Sequence, residues 1–517
     1  MKLILLIHQN NKVLEIRDYP SDIKVPMNDE VGLIGQLFNM AISYPDHFLG
    51  WCEERLFPFF SYNKFRSIFL HKRIMSSFEI HDYYIPDTIG YIEHSPLINI
   101  NKNVPYPTWR MSSCVGGIHA SLISQLKKAQ YKDHSFELFL NVMAKQNMKN
   151  GLLCYSTPGL LEGFIENSYK QSPRVKDELF HFVRSNYKKR WLFILFLNFL
   201  IYEGKLKLYS LIKSLFTKEV RVKLTLDEFE INSAKEDSAE ASIDVIIPTL
   251  GRKNFLYDVL KDLSNQSLLP HRVIIVEQNA NLYSESELDF LTEEEWPFTV
   301  VHHFIHQTGA CNARNLALQE VSSEYVYLAD DDNRFSADLL EKAIIEMNKL
   351  GTKVLNMSYL QKGEVETART WLQWHTFGAG CSIIRSELLK EVTFDMAFEH
   401  GYGEDADFGM QLRNIGKDVI YSPNLHVLHL KAPIGGFRKV NVMPWDKDLI
   451  IPKPSPTIML YKLKHQSIIQ IKGYKLLLFL RLLFKQKRLH FLKFKRQFNQ
   501  QWNSSVRWAK YLKSEHE

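Results

Sequence analysis

Three consecutive carboxylates, Asp330-Asp331-Asp332, follow the apolar run at 325–329. Like charges at one turn repel, and burying them without a counter-charge is costly. A divalent cation resolves that conflict. Oxygen ligands with open coordination positions suit Mn²⁺ or Mg²⁺ shared with a phosphate-bearing substrate. An exposed acidic turn is the competing account, but a buried-looking strand leads straight in and Asn333-Arg334-Phe335 leads back toward a helix. A second acidic group, Gly403-Glu404-Asp405-Ala406-Asp407-Phe408, opens a helix that ends at Gly416. Capping and the helix dipole account for acids there. Beside a metal site, the same acids offer a general base for a hydroxyl nucleophile. His426-Val-Leu-His429 closes the next strand, and residues three apart in a strand face opposite ways, so both cannot hold one ion without a bend. His429 is the candidate metal ligand, against the ordinary structural role of a lone histidine. The loop Lys431-Ala-Pro-Ile-Gly-Gly-Phe-Arg438 offers mobile backbone and a cation, suited to a lid over a diphosphate.

The elements that must position these groups alternate. Strands are predicted at 243–248, 272–277, 300–304 and 325–329, with helical spacing over 254–264 and 312–321. Strands alternating with helices imply a mostly parallel α/β sheet with its site at the carboxyl ends of the strands. The small, acidic stretch 232–242 reads as a linker before this unit, and Pro452-Lys-Pro-Ser-Pro456 as a joint after it. The opening MKLILLIHQNNKVLEI has too short an apolar core for a signal peptide and reads as a strand.

The chain has 517 residues, 45% of them apolar, which is ample for several cores and excludes general disorder. Five cysteines, Cys52, Cys114, Cys154, Cys311 and Cys381, show no paired spacing, which argues against a disulfide framework or a cysteine zinc site and for a reducing compartment. The net charge of +6 conceals an uneven distribution. Residues 457–517 hold 14 Lys/Arg against two Glu, residues 184–223 hold ten against two, and the remainder is acidic. Neither basic segment can cross a bilayer: the apolar run at 191–202 is 12 residues long and the second segment is interrupted by Lys and Arg. Two readings stand for them. They lie in the headgroup plane of an anionic membrane, or they pack on the body with snorkelling cations. No recognition motif accompanies the charge, which argues against nucleic acid.

Five motifs together resemble the family 2 glycosyltransferases. They are Ile246-Ile-Pro-Thr-Leu-Gly-Arg252, Val276-Glu-Gln-Asn279, Gly309-Ala-Cys-Asn-Ala-Arg-Asn315, Leu328-Ala-Asp-Asp-Asp332 and Gly403-Glu-Asp405, in family order over about 241–440. The resemblance implies a GT-A fold, a Rossmann-like mixed α/β sheet, with a nucleotide-sugar donor, Mn²⁺ or Mg²⁺, and inversion at the anomeric carbon. It implies that Pro248, Thr249 and Arg252 line the nucleotide pocket, that Glu277 receives the base or ribose, and that Arg314 lies near the nucleotide. It also implies that Asp330 faces the ribose with Asp331 beside it, and that Asp332 and His429 take the metal. Asp405 is similar to the family's catalytic base, with Glu404 beside it. The family more often has Asp where Glu277 stands, and 371–380 keeps a small-residue pattern without naming a sugar.

The first third repeats the second half of this unit in degraded form. Residues 39–56 track 315–335, Cys114-Val-Gly-Gly117 tracks 378–381, Asp133-His-Ser-Phe136 tracks 405–408 and 150–158 track 415–423. In this alignment Cys52-Glu53-Glu54 replaces the triple aspartate, and the nucleotide-binding half is absent from the first 38 residues. The expected organisation is a degenerate, non-catalytic GT-A-like domain at 1–170, a basic helical segment and linker at 171–240, a catalytic domain at 241–445 and a basic amphipathic helical tail at 446–517. The expected activity is an inverting, metal-dependent transfer from a nucleotide sugar, a UDP-sugar above others, to a glycan or lipid-linked acceptor in surface polysaccharide assembly. It is expected in the cytoplasm, at the inner face of the membrane. The rivals are a glycan-binding scaffold on a transferase fold and a metal-dependent nucleotidyltransferase. The second would need a better glycine-rich, lysine-containing phosphate loop than Thr249-Leu-Gly-Arg252.

Overall fold

A computed structural model describes residues 1–28, 30–131, 134–163, 178–226, 229, 231, 241–432, 442–486 and 490–516. The expected linker lies mostly outside these residues. So do the expected lid beyond Ala432 and Asp133 of the internal alignment. The chain forms two compact units, Met1–Ala234 with Ser467–Leu478, and Lys235–Gln466 with Phe479–Glu517.

The first unit opens with β1 (Leu3–Gln9) and β2 (Lys12–Tyr19), an antiparallel hairpin. Its two-residue turn is Asn10-Asn11, both at positive φ, the conformation that matches the twist of paired strands. The other strands are β3 (Ile23–Lys24), β4 (Phe48–Glu53), β5 (Ile74–Phe78), β6 (Tyr106–Pro107), β7 (Val115–His119) and β8 (Leu153–Ser156). Their order across the sheet is β3-β2-β1-β4-β7-β5-β8-β6. The apolar run after Lys188-Lys189-Arg190 is the helix Arg190–Glu203, whose Leu192, Leu195 and Phe199 join this unit's core. Ser467–Leu478 belongs here too: Gln470 is fully buried and donates to the carbonyls of Glu93 and Ser95.

The second unit contains β9 (Ile243–Thr249), β10 (Arg272–Gln278), β11 (Thr299–Ile305), β12 (Tyr325–Ala329), β13 (Asn333–Phe335), β14 (Val354–Gln361), β15 (Leu372–Gln373), β16 (Cys381–Arg385) and β17 (Ile420–His429). The order is β11-β10-β9-β12-β16-β14-β17-β13, with β15 also on β17. The strands β11, β10, β9 and β12 are parallel, and β16 runs against both β12 and β14. This is the mixed α/β sheet the motifs implied. The central strands β9, β10 and β12 are nearly all buried, as strands covered on both faces must be. The helices Lys253–Ser264 and Ala310–Gln319 fall where the spacing placed them.

The two sheets share one pairing scheme. Leu3, Phe48 and His119 lie in register across β1, β4 and β7, as Ile243, Tyr325 and Arg385 do across β9, β12 and β16. The match continues outward: Gly117–Ser76–Tyr155–Pro107 corresponds to Ile383–Leu355–Ile420–Gln373, with the same strand directions. The register equates Tyr155 with Ile420, as the sequence alignment has it. It moves the acidic triple by one residue, however: Glu53, Glu54 and Arg55, not Cys52-Glu53-Glu54, stand opposite Asp330, Asp331 and Asp332. Cys114 stands opposite Gly380. The divergence is in the first half, where β2 is antiparallel to β1 but β10 is parallel to β9. A two-residue turn replaces the crossover helix, and with it goes the loop that carries Thr249 to Arg252.

Candidate active site

The triple aspartate leaves β12 into a turn stitched to four other elements, and its three carboxylates have different partners. Asp331 is buried and accepts from Thr249 Oγ1 at 2.7 Å, at the end of β9, and from Arg252 Nη1 at 2.6 Å, just past it. Burial dominates there and pushes its carboxyl up to about 6 despite those donors. Asp332 is also buried. Its Oδ2 accepts from the Ala432 backbone N–H at 2.8 Å, with Arg252 3.4 Å away. Burial raises its carboxyl, but His429, the Ala432 N–H and Arg252 outweigh this and hold it below the ordinary value. Asp330 is more open and accepts from Arg314 Nη2 at 3.0 Å and Tyr359 Oη at 2.9 Å.

Asp332 Oδ1 is buried with no hydrogen-bond partner among the described residues, and His429 Nε2 lies 3.5 Å from it. The His429 ring stacks on Tyr359 at 4.6 Å, which fixes its plane. His426, three residues earlier, is exposed, so one histidine of the pair reaches the carboxylates. An orphaned carboxylate oxygen beside an imidazole fits a divalent cation of the Mn²⁺ or Mg²⁺ kind.

Tyr359 is a residue that sequence reading missed. Its hydroxyl also donates to Asn333 at 2.8 Å, and Asn333 donates to the Gly380 carbonyl at 2.7 Å. Gly380 itself is required by space: a Cβ there would stand 2.1 Å from Asp330 Oδ2. Glu399 was missed too. Its carboxylate accepts from the backbone N–H groups of Cys311 and Asn312 at 3.2 and 2.7 Å, capping the helix that carries Arg314. Neither residue belongs to a local pattern, so only long-range packing reveals them.

Arg314 joins the two acidic groups. It is buried, bonded to Asp330, and its charge acts on both Asp405 and Glu404. Gly403, at φ 114°, starts the helix Glu404–Asn414. Asp405 Oδ2 accepts from the Ala379 N–H at 3.2 Å, and Oδ1 is buried without a hydrogen-bond partner among the described residues. Burial pushes its carboxyl up to about 7, Arg314 pulls down and Glu404 pushes up again. Burial raises Glu404 as well. Asp407 differs: Lys464 and His465, at 2.7 and 2.6 Å, hold it in the structure.

Pro248 and Thr249 end β9, and Glu277 sits opposite Thr249 in register on β10. The Glu277 carboxylate bonds within the protein, to Ser286 Oγ, the Glu287 N–H and His302 Nε2, at 2.5, 3.1 and 3.0 Å. The structure therefore brings together Thr249, Arg252, Asp331, Asp332 and His429, and links Arg314, Asp330, Glu404 and Asp405. Glu277 lies on the same edge of the sheet with its oxygens engaged.

At the matching edge of the first unit, Arg55 reaches both Glu53 and His81, at 2.5 Å in each case. Glu53, His81 and Cys114 present ligand atoms within 4.8 Å of one another, so the three could gather a metal. The guanidinium already supplies a positive charge there.

Residues 244–414 match the sequence profile described as "Glycosyl transferase family 2". A Campylobacter jejuni protein described as "GalNAc(5)-diNAcBac-PP-undecaprenol beta-1,3-glucosyltransferase" is 23% identical over 188 residues, 33% of this chain and 59% of that one. A Bacillus subtilis protein described as "Uncharacterized glycosyltransferase YwdF" is 31% identical over 106 residues, 20% of this chain and 38% of that one. The chain thus spans less than two thirds of either relative. Among solved structures, S. aureus TarS 1-349 in complex with UDP-GlcNAc aligns with a TM-score of 0.37 at 16% identity, covering 52% of this chain and 81% of that one. No helix among the described residues is long and apolar enough to cross a membrane. The segment that carries the glycosyl transferase family 2 profile, residues 244–414, thus lies over most of the carboxylate-rich sheet edge described above.

Proposed function

We propose that the second unit transfers a sugar from a nucleotide-sugar donor to a hydroxyl of a glycan or lipid-linked glycan, with inversion. The observation that carries this reading is Asp405. It is a buried carboxyl with one oxygen unpartnered, tuned by burial to about 7, on the same edge as Arg314 and the aspartates. A carboxylate with that affinity for a proton is matched to deprotonating a hydroxyl near neutral pH. Thr249, Arg252 and Asp330 are the donor-binding groups in this reading. Arg252 and Arg314 place fixed positive charge where a leaving diphosphate develops negative charge. Asp332 and His429 would hold Mn²⁺ or Mg²⁺, which when bound neutralises that diphosphate. The Campylobacter relative's description names an undecaprenol-linked substrate, which supports a lipid-linked acceptor. The Staphylococcus complex with UDP-GlcNAc supplies the first donor to try.

The test is release of UDP from UDP-sugars by the full chain with Mn²⁺. Wild-type protein is expected to turn over at least one donor. Asp405→Asn should lower acceptor-dependent turnover by about 10² or more, while Asp332→Asn should remove metal dependence. Full turnover in Asp405→Asn would overturn the assignment of the base. No hydrolysis of any donor would return the scaffold reading.

A further inference from the structure

We infer that the first unit carries an anion-binding cleft of its own, built for phosphate groups borne on a glycan. The cleft, of about 1280 Å³, lies at the amino-terminal edge of that unit's parallel strands. Lys2 precedes β1, Asp46 precedes β4, His71 and Lys72 precede β5, and His119 ends β7. This is the edge opposite Glu53, so the cleft owes nothing to the position of the donor site in the second unit.

Among the described residues its charge is one-sided. Lys2, Arg66, Lys72 and Lys223 line it, and among the described residues none of the four is ion-paired. Asp46 is the single carboxylate among the described lining residues. The lining histidines add no charge at neutral pH, because burial lowers both His71 and His119 to about 4. Four cations without an ion-pair partner among the described residues repel each other around one recess, and an anionic ligand relieves that repulsion.

Two further features point to a ligand. Part of the lining is apolar and aromatic. Phe48 packs on Phe69 at 5.4 Å and edge-on to His119 at 4.9 Å, a surface suited to the C–H face of a sugar ring. His71 is 5% exposed, and its Nδ1 accepts from the Arg73 N–H at 3.2 Å. The proton is therefore on Nε2, which has no hydrogen-bond partner among the described residues. A buried, unsatisfied donor beside a cationic cleft fits a ligand oxygen. The occupant is thus a chain carrying phosphodiester or diphosphate groups. That the carrier is a glycan rests on the transferase reading; the phosphate does not.

The test titrates inorganic pyrophosphate into the full chain, in EDTA, by calorimetry. Saturable binding is expected, with a component weakened about tenfold or more in Arg66→Glu/Lys72→Glu that persists when Arg252 of the donor site is replaced by alanine. Lys2→Glu/Lys223→Glu should repeat the loss if the first pair fails to fold. Sedimentation with phosphatidylglycerol vesicles runs beside it. No pyrophosphate binding, or binding untouched by both double variants, would overturn the proposal. So would loss of all pyrophosphate binding in Arg252→Ala, which places the anion in the donor site, or an effect confined to vesicles, which makes the occupant a membrane. UDP release is measured separately on wild-type protein, so the transferase reading and the cleft can fail independently.

Discussion

Asp405 ties function to pH through one buried carboxyl. Its affinity for a proton sits near 7 in the folded chain, against about 3.9 for an exposed aspartate. A base must be ionised to act, so log kcat/KM should fall with unit slope below about pH 7 and level off above it. Stability runs the other way. Between about pH 4 and 7 the folded chain holds this proton more tightly than the unfolded chain, so ionising Asp405 removes stability as pH rises through that window. Asp405→Asn should therefore raise Tm by a few degrees at pH 8 and by less at pH 5, even as it abolishes the acid limb of turnover. A Tm unchanged at both pH values would show that the carboxyl is not desolvated. Gly380 makes a sharper steric case. A Cβ 2.1 Å from Asp330 Oδ2 forces that carboxylate away from Arg314 and Tyr359. Gly380→Ala should cut kcat/KM by about tenfold or more, with fluorescence-detected Tm moving only slightly.

Among the elements, the basic tail is where the alternatives left by composition meet packing. The helix Pro456–His465 is fastened beneath the helix Glu404–Asn414, since Asp407 is fully buried and bonded to Lys464 and His465. His465→Ala leaves part of that charge unsatisfied and should destabilise by about 2 kcal/mol, read from urea midpoints at pH 7. For the same reason, deleting 457–517 cannot test membrane binding, because it removes these partners along with buried Phe498 and Trp502. Exposed Phe484 and Leu492, near Lys485, Lys493 and Lys495, are the groups to change. If the tail meets a membrane, Phe484→Asp/Leu492→Asp should lower binding to phosphatidylglycerol vesicles several-fold without shifting Tm. How far sequence reached differs by element for physical reasons. The strands β9, β10 and β12 were legible because burial on both faces leaves an unbroken apolar run, and the aspartates because the run stops at them. Tyr359 and Glu399 were illegible because each meets its partner 29 and 88 positions away. The hairpin turn at Asn10-Asn11 passed unread inside a segment taken as one strand.

At the scale of the whole molecule, one chain carries the same sheet scheme twice with opposite treatment of the acidic turn. In the second unit the aspartates surround an orphaned oxygen with His429 beside it. In the first, strand register puts Arg55 at the position of Asp332, and its guanidinium bonds Glu53 and His81. Cys114 replaces Gly380 there, with its Sγ 3.6 Å from Glu53 Oε1, so the space that lets Asp330 lie against backbone is filled. The loop equivalent to Thr249–Arg252 is gone, replaced by a hairpin, so the donor-side half of a transferase site has no counterpart among the described residues. A pocket that supplies its own cation and lacks its nucleotide half should do no transfer. Glu53→Gln/Glu54→Gln should therefore leave kcat/KM within about twofold of wild type, measured as UDP release with the donor that the second unit accepts. The double variant also separates catalysis from stability. Glu53 partners Arg55, so a lower Tm with unchanged turnover is the expected pair of results, and a turnover loss as deep as that of Asp405→Asn would make the first unit a second active site.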